Sequence, residues 1–165
     1  MIAHATATLP GVAAAPQSPE AVRRLIHFKQ RSGPFLLLAD SASRALSLAR
    51  YRSPALRRLA RSSWPGPVTL VFAGKPGLPP CCYFRGKLAV RVDAAPQARQ
   101  LAAACGGLLI SSSLNRRGGE SQQPDFRLQM RAHRHLHGRL IGVDASGKPS
   151  SVLRIWRNSS TIIRQ

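Results

Sequence analysis

Short apolar runs alternate with capped, helix-like stretches along this chain, and that alternation predicts an α/β fold. Two further observations support it. The runs Phe35–Ala39, Val68–Phe72, Leu88–Val92 and Leu108–Ser112 have strand length and lie between Gly, Pro or Ser turn signals. A length of 165 residues with 44% hydrophobic side chains suits one domain with a sizeable core, spanning residues 1–165.

Taken in order, Met1–Thr6 reads as a short first strand and Leu9-Pro10-Gly11-Val12 as a turn or loop. Ser18 caps a helix that has Pro19 at its first position, Glu20 near its positive end, and Val22, Leu25 and Ile26 on one face. Lys29 and Arg31 leave that helix together before a break at Ser32-Gly33-Pro34. Phe35–Ala39 is a buried strand, followed by a helix capped by Asp40 or Ser41 and running to about Leu48. Ser53-Pro54 opens another helix, with Leu56 and Leu59 inward and Arg57, Arg58 and Arg61 outward. Two prolines around a glycine make Trp64-Pro65-Gly66-Pro67 an extended turn into strand Val68–Phe72. Lys75–Pro80 is a loop, Leu88–Val92 a strand, and Pro96–Ala104 a helix ending at Gly106. Leu108–Ser112 is a strand that runs into a polar loop. Residues 120–138 are basic and weakly patterned, and short strands return at 140–143, 152–156 and 161–164.

Composition narrows the chemistry. The formal net charge is +19, and of 25 Lys and Arg side chains only Lys29, Lys75, Lys87 and Lys148 are lysines. Arginine holds phosphate through a planar fork, so the balance favours polyanionic partners: nucleotide phosphates, RNA or both. Six acidic residues leave few candidates for a paired-carboxylate mechanism, and there is no GxSxG, HExxH, Walker A or GxGxxG pattern. Aromatics are 5% of the chain and do not cluster along it, which argues against a stacking platform for single-stranded RNA. Cys81, Cys82 and Cys105 lack metal-ligand spacing and read as reduced thiols, and His133, His135 and His137 read as part of a solvated basic segment. No metal site is expected. No apolar run reaches membrane-span length, and the first residues lack a signal-peptide pattern, so a cytoplasmic protein without membrane contact is expected.

Three polar clusters flank apolar strands, where α/β sheets commonly hold ligands: Lys29 with Arg31, Ser111 to Asn115, and Pro149 to Ser151. The clusters fall into a recognisable order. Lys29-Gln30-Arg31 resembles the KxR motif of the YrdC-like family, and Trp64-Pro65-Gly66-Pro67-Val68-Thr69 its WPGPxT segment. Ala89-Val90-Arg91-Val92 is similar to its AVRxP-like strand, Ser111-Ser112-Ser113-Leu114-Asn115 with Gly118 nearby to its S-T/S-S-A-N-x-S-G signature, with Leu114 at the alanine, and Pro149-Ser150-Ser151-Val152 to its closing PST element. Ile163-Arg164 resembles the terminal [IL]R.

The resemblance covers nearly the whole chain. It implies a twisted mixed β-sheet with flanking helices around an open basic cavity, and a threonylcarbamoyl-AMP synthase. Such an enzyme makes threonylcarbamoyl-AMP and pyrophosphate from L-threonine, bicarbonate and ATP for the t6A modification of tRNA. ATP is then a substrate, Mg2+ its candidate companion ion, and proteins of the t6A pathway the partners. Carried over residue by residue, Lys29, Arg31, Ser111, Ser113 and Asn115 would contact the nucleotide. Ser151 and Arg164 would close the phosphate side, and Thr6 and Arg91 would hold threonine and its carbamate. Lys29, Arg31 and Arg91 would carry the catalysis.

The first loop departs from the family pattern: Ala7 stands where a glutamate is usual and Pro10 where an aromatic is usual. That departure predicts nucleotide binding better retained than turnover. It also keeps in view double-stranded RNA or rRNA binding, or a catalytically weakened nucleotide-binding paralogue, on the same basic cavity.

Overall fold

Every strand described below joins one mixed sheet, in a computed structural model that describes residues 1–114 and 146–164. In chain order the strands are β1 Ile2–His4, β2 Gly11–Ala14, β3 Leu36–Ala39, β4 Val68–Ala73, β5 Tyr83–Phe84, β6 Lys87–Val92, β7 Leu108–Ser113, β8 Ser151–Trp156 and β9 Ser159–Arg164. Their order across the sheet is β1-β2-β7-β3-β6-β4-β8-β9, with β5 added beside β6. The pairs β3–β6 and β4–β8 are parallel and the others antiparallel. The helices are α1 Pro19–Lys29, α2 Ala42–Ser47, α3 Pro54–Ser63 and α4 Pro96–Ala104.

Local signals set the helix ends. The Ser18, Ser41 and Ser53 hydroxyls accept the N–H of Ala21, Arg44 and Leu56, which satisfies a donor the first turn would leave bare. Pro19, Pro54 and Pro96 each occupy a first helical turn, where a missing N–H costs nothing. Cys81 and Cys82 are buried, and burial pushes both thiols up, so they stay protonated.

The two faces of the sheet are covered differently. Strand alternation sends Leu37, Leu70, Phe72, Leu88, Val90, Ile110 and Ile155 to one face. There they pack with Val22, Leu25 and Phe28 of α1, Ala45 of α2, Leu56 and Ala60 of α3, and Trp64. Each fully buried Leu or Phe contributes roughly 1.5–3 kcal/mol. The opposite face has a small second core of Ala13, Leu38, Leu109 and Ala102 beneath α4. Beyond α4 this face opens into a hollow.

One expectation is corrected. Gly11 and Val12, expected within a turn or loop at Leu9–Val12, instead open strand β2 (Gly11–Ala14), which is buried throughout and paired with both β1 and β7. Pro10-Gly11 reads as punctuation, and Ala13-Ala14 has weak strand preference, yet tertiary pairing overrides both. Gly11 is needed here for space: a Cβ would meet the Ser112 carbonyl oxygen at 2.8 Å. The strand expected at 140–143 and the His133, His135 and His137 run lie outside the described residues.

Candidate functional site

Each wall of the hollow follows from a local feature. Helix α1 ends at Gln30, which adopts a left-handed conformation (φ 50°) and turns the chain sharply. Lys29 before it and Arg31 after it therefore both reach the end of β7. Lys29 Nζ donates to the Ser113 carbonyl at 2.7 Å, and Arg31 Nη2 donates to Ser112 Oγ at 3.4 Å while its guanidinium lies 4.6 Å from the Phe35 ring centroid. Burial, with Arg31 adding to it, lowers the Lys29 pKa to about 8.

The Trp64-Pro65-Gly66-Pro67 turn holds β4 and β6 in register. Trp64 Nε1 donates to the Val68 carbonyl at 2.7 Å, and the Gly66 N–H donates to Val92 at 2.9 Å. A Cβ on Gly66 would approach the Ser63 carbonyl to 2.4 Å, so the segment is a clamp without room for a side chain. It sets Thr69 opposite the β6 arginine, and the Thr69 and Ser150 hydroxyls share a hydrogen bond of 3.0 Å.

Arg91 is the buried centre of the site, 3% exposed. Its Nη2 pairs with Asp93 Oδ2 at 2.6 Å, and its Nη1 donates to Thr8 Oγ1 at 2.8 Å. Burial lowers its pKa, Asp93 opposes that, and Arg164 adds to it, yet a guanidinium stays charged. Asp93 Oδ1 accepts the N–H of Ala7 and of Ala95, both at 2.9 Å. Its carboxylate thereby ties the first loop to the start of α4, where Ala95 offers no side-chain cap.

The first loop is itself ordered by Thr6. That hydroxyl accepts the N–H of Thr8 and Leu9 and donates to the Leu9 carbonyl at 2.8 Å. The N–H groups of Ser146 and Gly147 pin the loop from outside, on Ala7 and Thr8. Beneath Ser111 lies His4, whose Nε2 is 2.9 Å from the Ser111 hydroxyl, and burial lowers its pKa to about 4.

The resulting cavity is about 310 Å3, at the small end of ligand cavities, which run from roughly 300 to 1,000 Å3. Of the residues expected from sequence, Thr6, Arg31, Arg91, Ser111, Ser113 and Arg164 line it. Lys29 stands at its edge through Ser113. Ser151 lies between the lining residues Ser150 and Val152, and its own N–H is spent on Pro67. Arg164 donates from Nε and Nη2 to the Ser150 carbonyl. Asn115 lies outside the described residues.

Ser112 and Ser150 fall in polar clusters the sequence pointed to and Thr69 in the WPGPxT segment, but none of them was given a role, and Thr8 was not singled out; all four border the cavity. Threonine and serine are common, and only strand register singles these out. Thr8, not Thr6, turns out to meet Arg91. A larger hollow, about 560 Å3, lies over α3 between Pro54, Arg57, Arg58, Arg61 and Ser62, but one helix supplies its lining and it is a surface dish. No helix among the described residues is long and apolar enough to cross a membrane.

An open α/β sheet whose exposed end gathers arginines, serines and threonines defines a protein with an anion-suited cleft. The profile of the Sua5/YciO/YrdC family, described as "Telomere recombination", matches residues 1–165. The chain belongs to that family.

A protein of Methylococcus capsulatus named threonylcarbamoyl-AMP synthase is 34% identical over 151 residues, covering 86% of this chain and 80% of its own. P. abyssi Sua5 complexed with L-threonine superposes with a TM-score of 0.85 at 23% identity, over 99% of this chain and 49% of that one. E. coli YciO gives the same TM-score at 21% identity, over 99% and 82%. This chain therefore spans about half of the P. abyssi protein, and both structural likenesses are likenesses of fold.

Proposed function

We propose that the chain is an L-threonylcarbamoyladenylate synthase, a nucleotidyltransferase acting on L-threonine, bicarbonate and ATP for t6A formation in tRNA. One observation carries the reading. Arg31 from the turn after α1, Arg91 from β6 and Arg164 from β9 line the same small cavity, with Lys29 at its edge and Ser and Thr hydroxyls around them. Asp93, the carboxylate at the centre of the site, is ion-paired with Arg91. The balance suits a triphosphate and a carbamate.

In this reading threonine's amine nitrogen attacks the carbon of bicarbonate or dissolved CO2. A carbamate forms, and water leaves in the bicarbonate case. A carbamate oxygen then attacks the α-phosphorus of ATP, the bond to the bridging oxygen breaks, and pyrophosphate departs. Such chemistry needs orientation and charge stabilisation more than a strong base.

Lys29, Arg31, Ser111, Ser113 and Asn115 take the nucleotide. Ser151 and Arg164 take the phosphate side. Arg91 faces the carbamate, and Thr6 shapes the loop that receives threonine. Lys29, Arg31 and Arg91 supply the catalytic charge. Any Mg2+ would be carried with the ATP phosphates.

Ala7 and Pro10 leave the first loop without a carboxylate or a ring. A reacting group misplaced by about an ångström costs on the order of a hundred-fold in rate. Binding is therefore expected to exceed turnover. The test is pyrophosphate release from ATP with and without L-threonine and bicarbonate. Release that requires both supports the reading, and release indifferent to threonine defeats it. Ala7→Glu with Pro10→Tyr should raise turnover more than ATP affinity.

A further inference from the structure

Strand register extends the site well beyond the cavity. Arg91, Thr69, Val152 and Arg164 lie opposite one another across β6, β4, β8 and β9 and form one row at the cavity. Two residues further along each strand, Ala89, Val71, Arg154 and Thr161 form a second row. Two residues beyond that lies a third. Phe84 pairs with Lys87, Lys87 with Ala73, and Trp156 with Ser159; continuing the β4–β8 register brings Ala73 opposite Trp156.

Alternation puts all three rows on the same face, because the residues between them, Leu70, Phe72, Leu88, Val90, Leu153 and Ile155, belong to the core on the other side. The rows are about 7 Å apart, and three strand spacings separate Phe84 from Trp156, about 14 Å.

The outer row is exposed and carries the chemistry of a stacking surface. Trp156 is 62% exposed and Phe84 57%. Arg85 stacks on Phe84 with its guanidinium 5.4 Å from the ring centroid. Lys87 and the exposed Arg154 stand between and beside the rings. No acidic residue occurs in any of the three rows. Aromatic rings spaced among cations on an open sheet suit splayed bases and the phosphates that join them. The 5% aromatic content argued against such a platform, but residues 72 positions apart in sequence meet in one row.

We propose that this face is a binding surface for single-stranded nucleic acid, with bases stacked on Phe84 and Trp156 and phosphates held by Lys87, Arg154 and Arg85. The strand runs toward the cavity. The surface does not depend on the adenylation reading, since none of these five side chains lines the cavity.

The test uses the full chain and a short unstructured oligonucleotide, as RNA and as DNA, beside a duplex of the same sequence, followed by anisotropy across a salt series. The single strand should bind more tightly than the duplex and quench the exposed Trp156, while buried Trp64 is shielded from stacked bases and contributes a constant background. Trp156→Ala and Phe84→Ala should each weaken single-strand binding roughly five- to 150-fold. Lys87→Gln with Arg154→Gln should lower the salt slope by about two phosphate contacts. ATP affinity should not move in any of these variants. The RNA and DNA arms establish which sugar is preferred. Failure to bind either single strand would overturn the proposal and leave the face to a protein partner. So would tighter binding of the duplex, or single-strand affinity unchanged by both ring substitutions.

Discussion

The two faces of this sheet are made by the same strands and do opposite work. On one face Leu70, Phe72, Val90 and Ile155 are sealed under α1, α2 and α3. On the other, α4 covers Ala13, Leu38 and Leu109, and positions beyond it include Arg91, Thr69, Ser111 and Arg154. Neighbouring residues on one strand thus face different surroundings: one the packed core, the next the open face. The contrast predicts that stability and binding can be damaged separately, one residue apart.

The sharpest exception should be Asp93, which belongs to both. Asp93→Ala leaves Arg91 buried and unpaired, and removes the acceptor of the Ala7 and Ala95 N–H groups. A loss of about 3–5 kcal/mol is expected in chemical denaturation. A cost below about 1 kcal/mol would mean the pair is dispensable to the fold.

The adjacent pair on β8 tests the contrast directly. Ile155→Ala should cost about 2–5 kcal/mol, whereas exposed Arg154→Ala should stay within about 0.5 kcal/mol. Equal effects would erase the distinction between faces.

His4 lies beneath the open face yet is sealed from water, which makes it a pH-dependent part of the same comparison. Its folded pKa is about 4 because of burial, against an ordinary 6.5. The unfolded chain therefore takes a proton first as pH falls. The His4 contribution to stability should be level above pH 6.5, decline as pH drops from 6.5 towards 4 by on the order of 3 kcal/mol, and level off below. His4→Gln should flatten that decline in urea titrations run across the range.

The smallest effects on folding, and the largest on ligand, belong at the edge of the cavity. Lys29→Ala and Arg31→Ala should each weaken ATP binding by about 1.5–3 kcal/mol, ten-fold or more, in calorimetry. Because burial lowers Lys29 to about 8, ATP affinity of the intact chain should fall as pH rises through that value. Lys29→Arg should abolish the fall.

Much of this contrast is legible in the sequence, and what is hidden has a common cause. Helix starts at Ser18, Ser41 and Ser53 are written locally, and so is the turn at Trp64–Pro67. Lys29, Arg31 and Arg91 stand out through motif order. β2 is hidden because its Gly-Val-Ala-Ala run is strand only by virtue of its two neighbours. The partnerships of Thr8 with Arg91 and of Thr69 with Ser150 are hidden because they depend on register across strands far apart in the chain. Phe84 and Trp156 are hidden for the same reason: composition counts rings but does not align them.

Asp93 has a consequence for how such chains drift over generations. Its carboxylate anchors Arg91, fastens the first loop and opens α4 at once. A lineage that abandoned catalysis altogether would still be held to aspartate there by the need to fold. Finding the Arg91–Asp93 pair intact in a descendant would accordingly be no sign of an active enzyme. The identity of the Arg91–Asp93 pair thus reports on folding before it reports on chemistry.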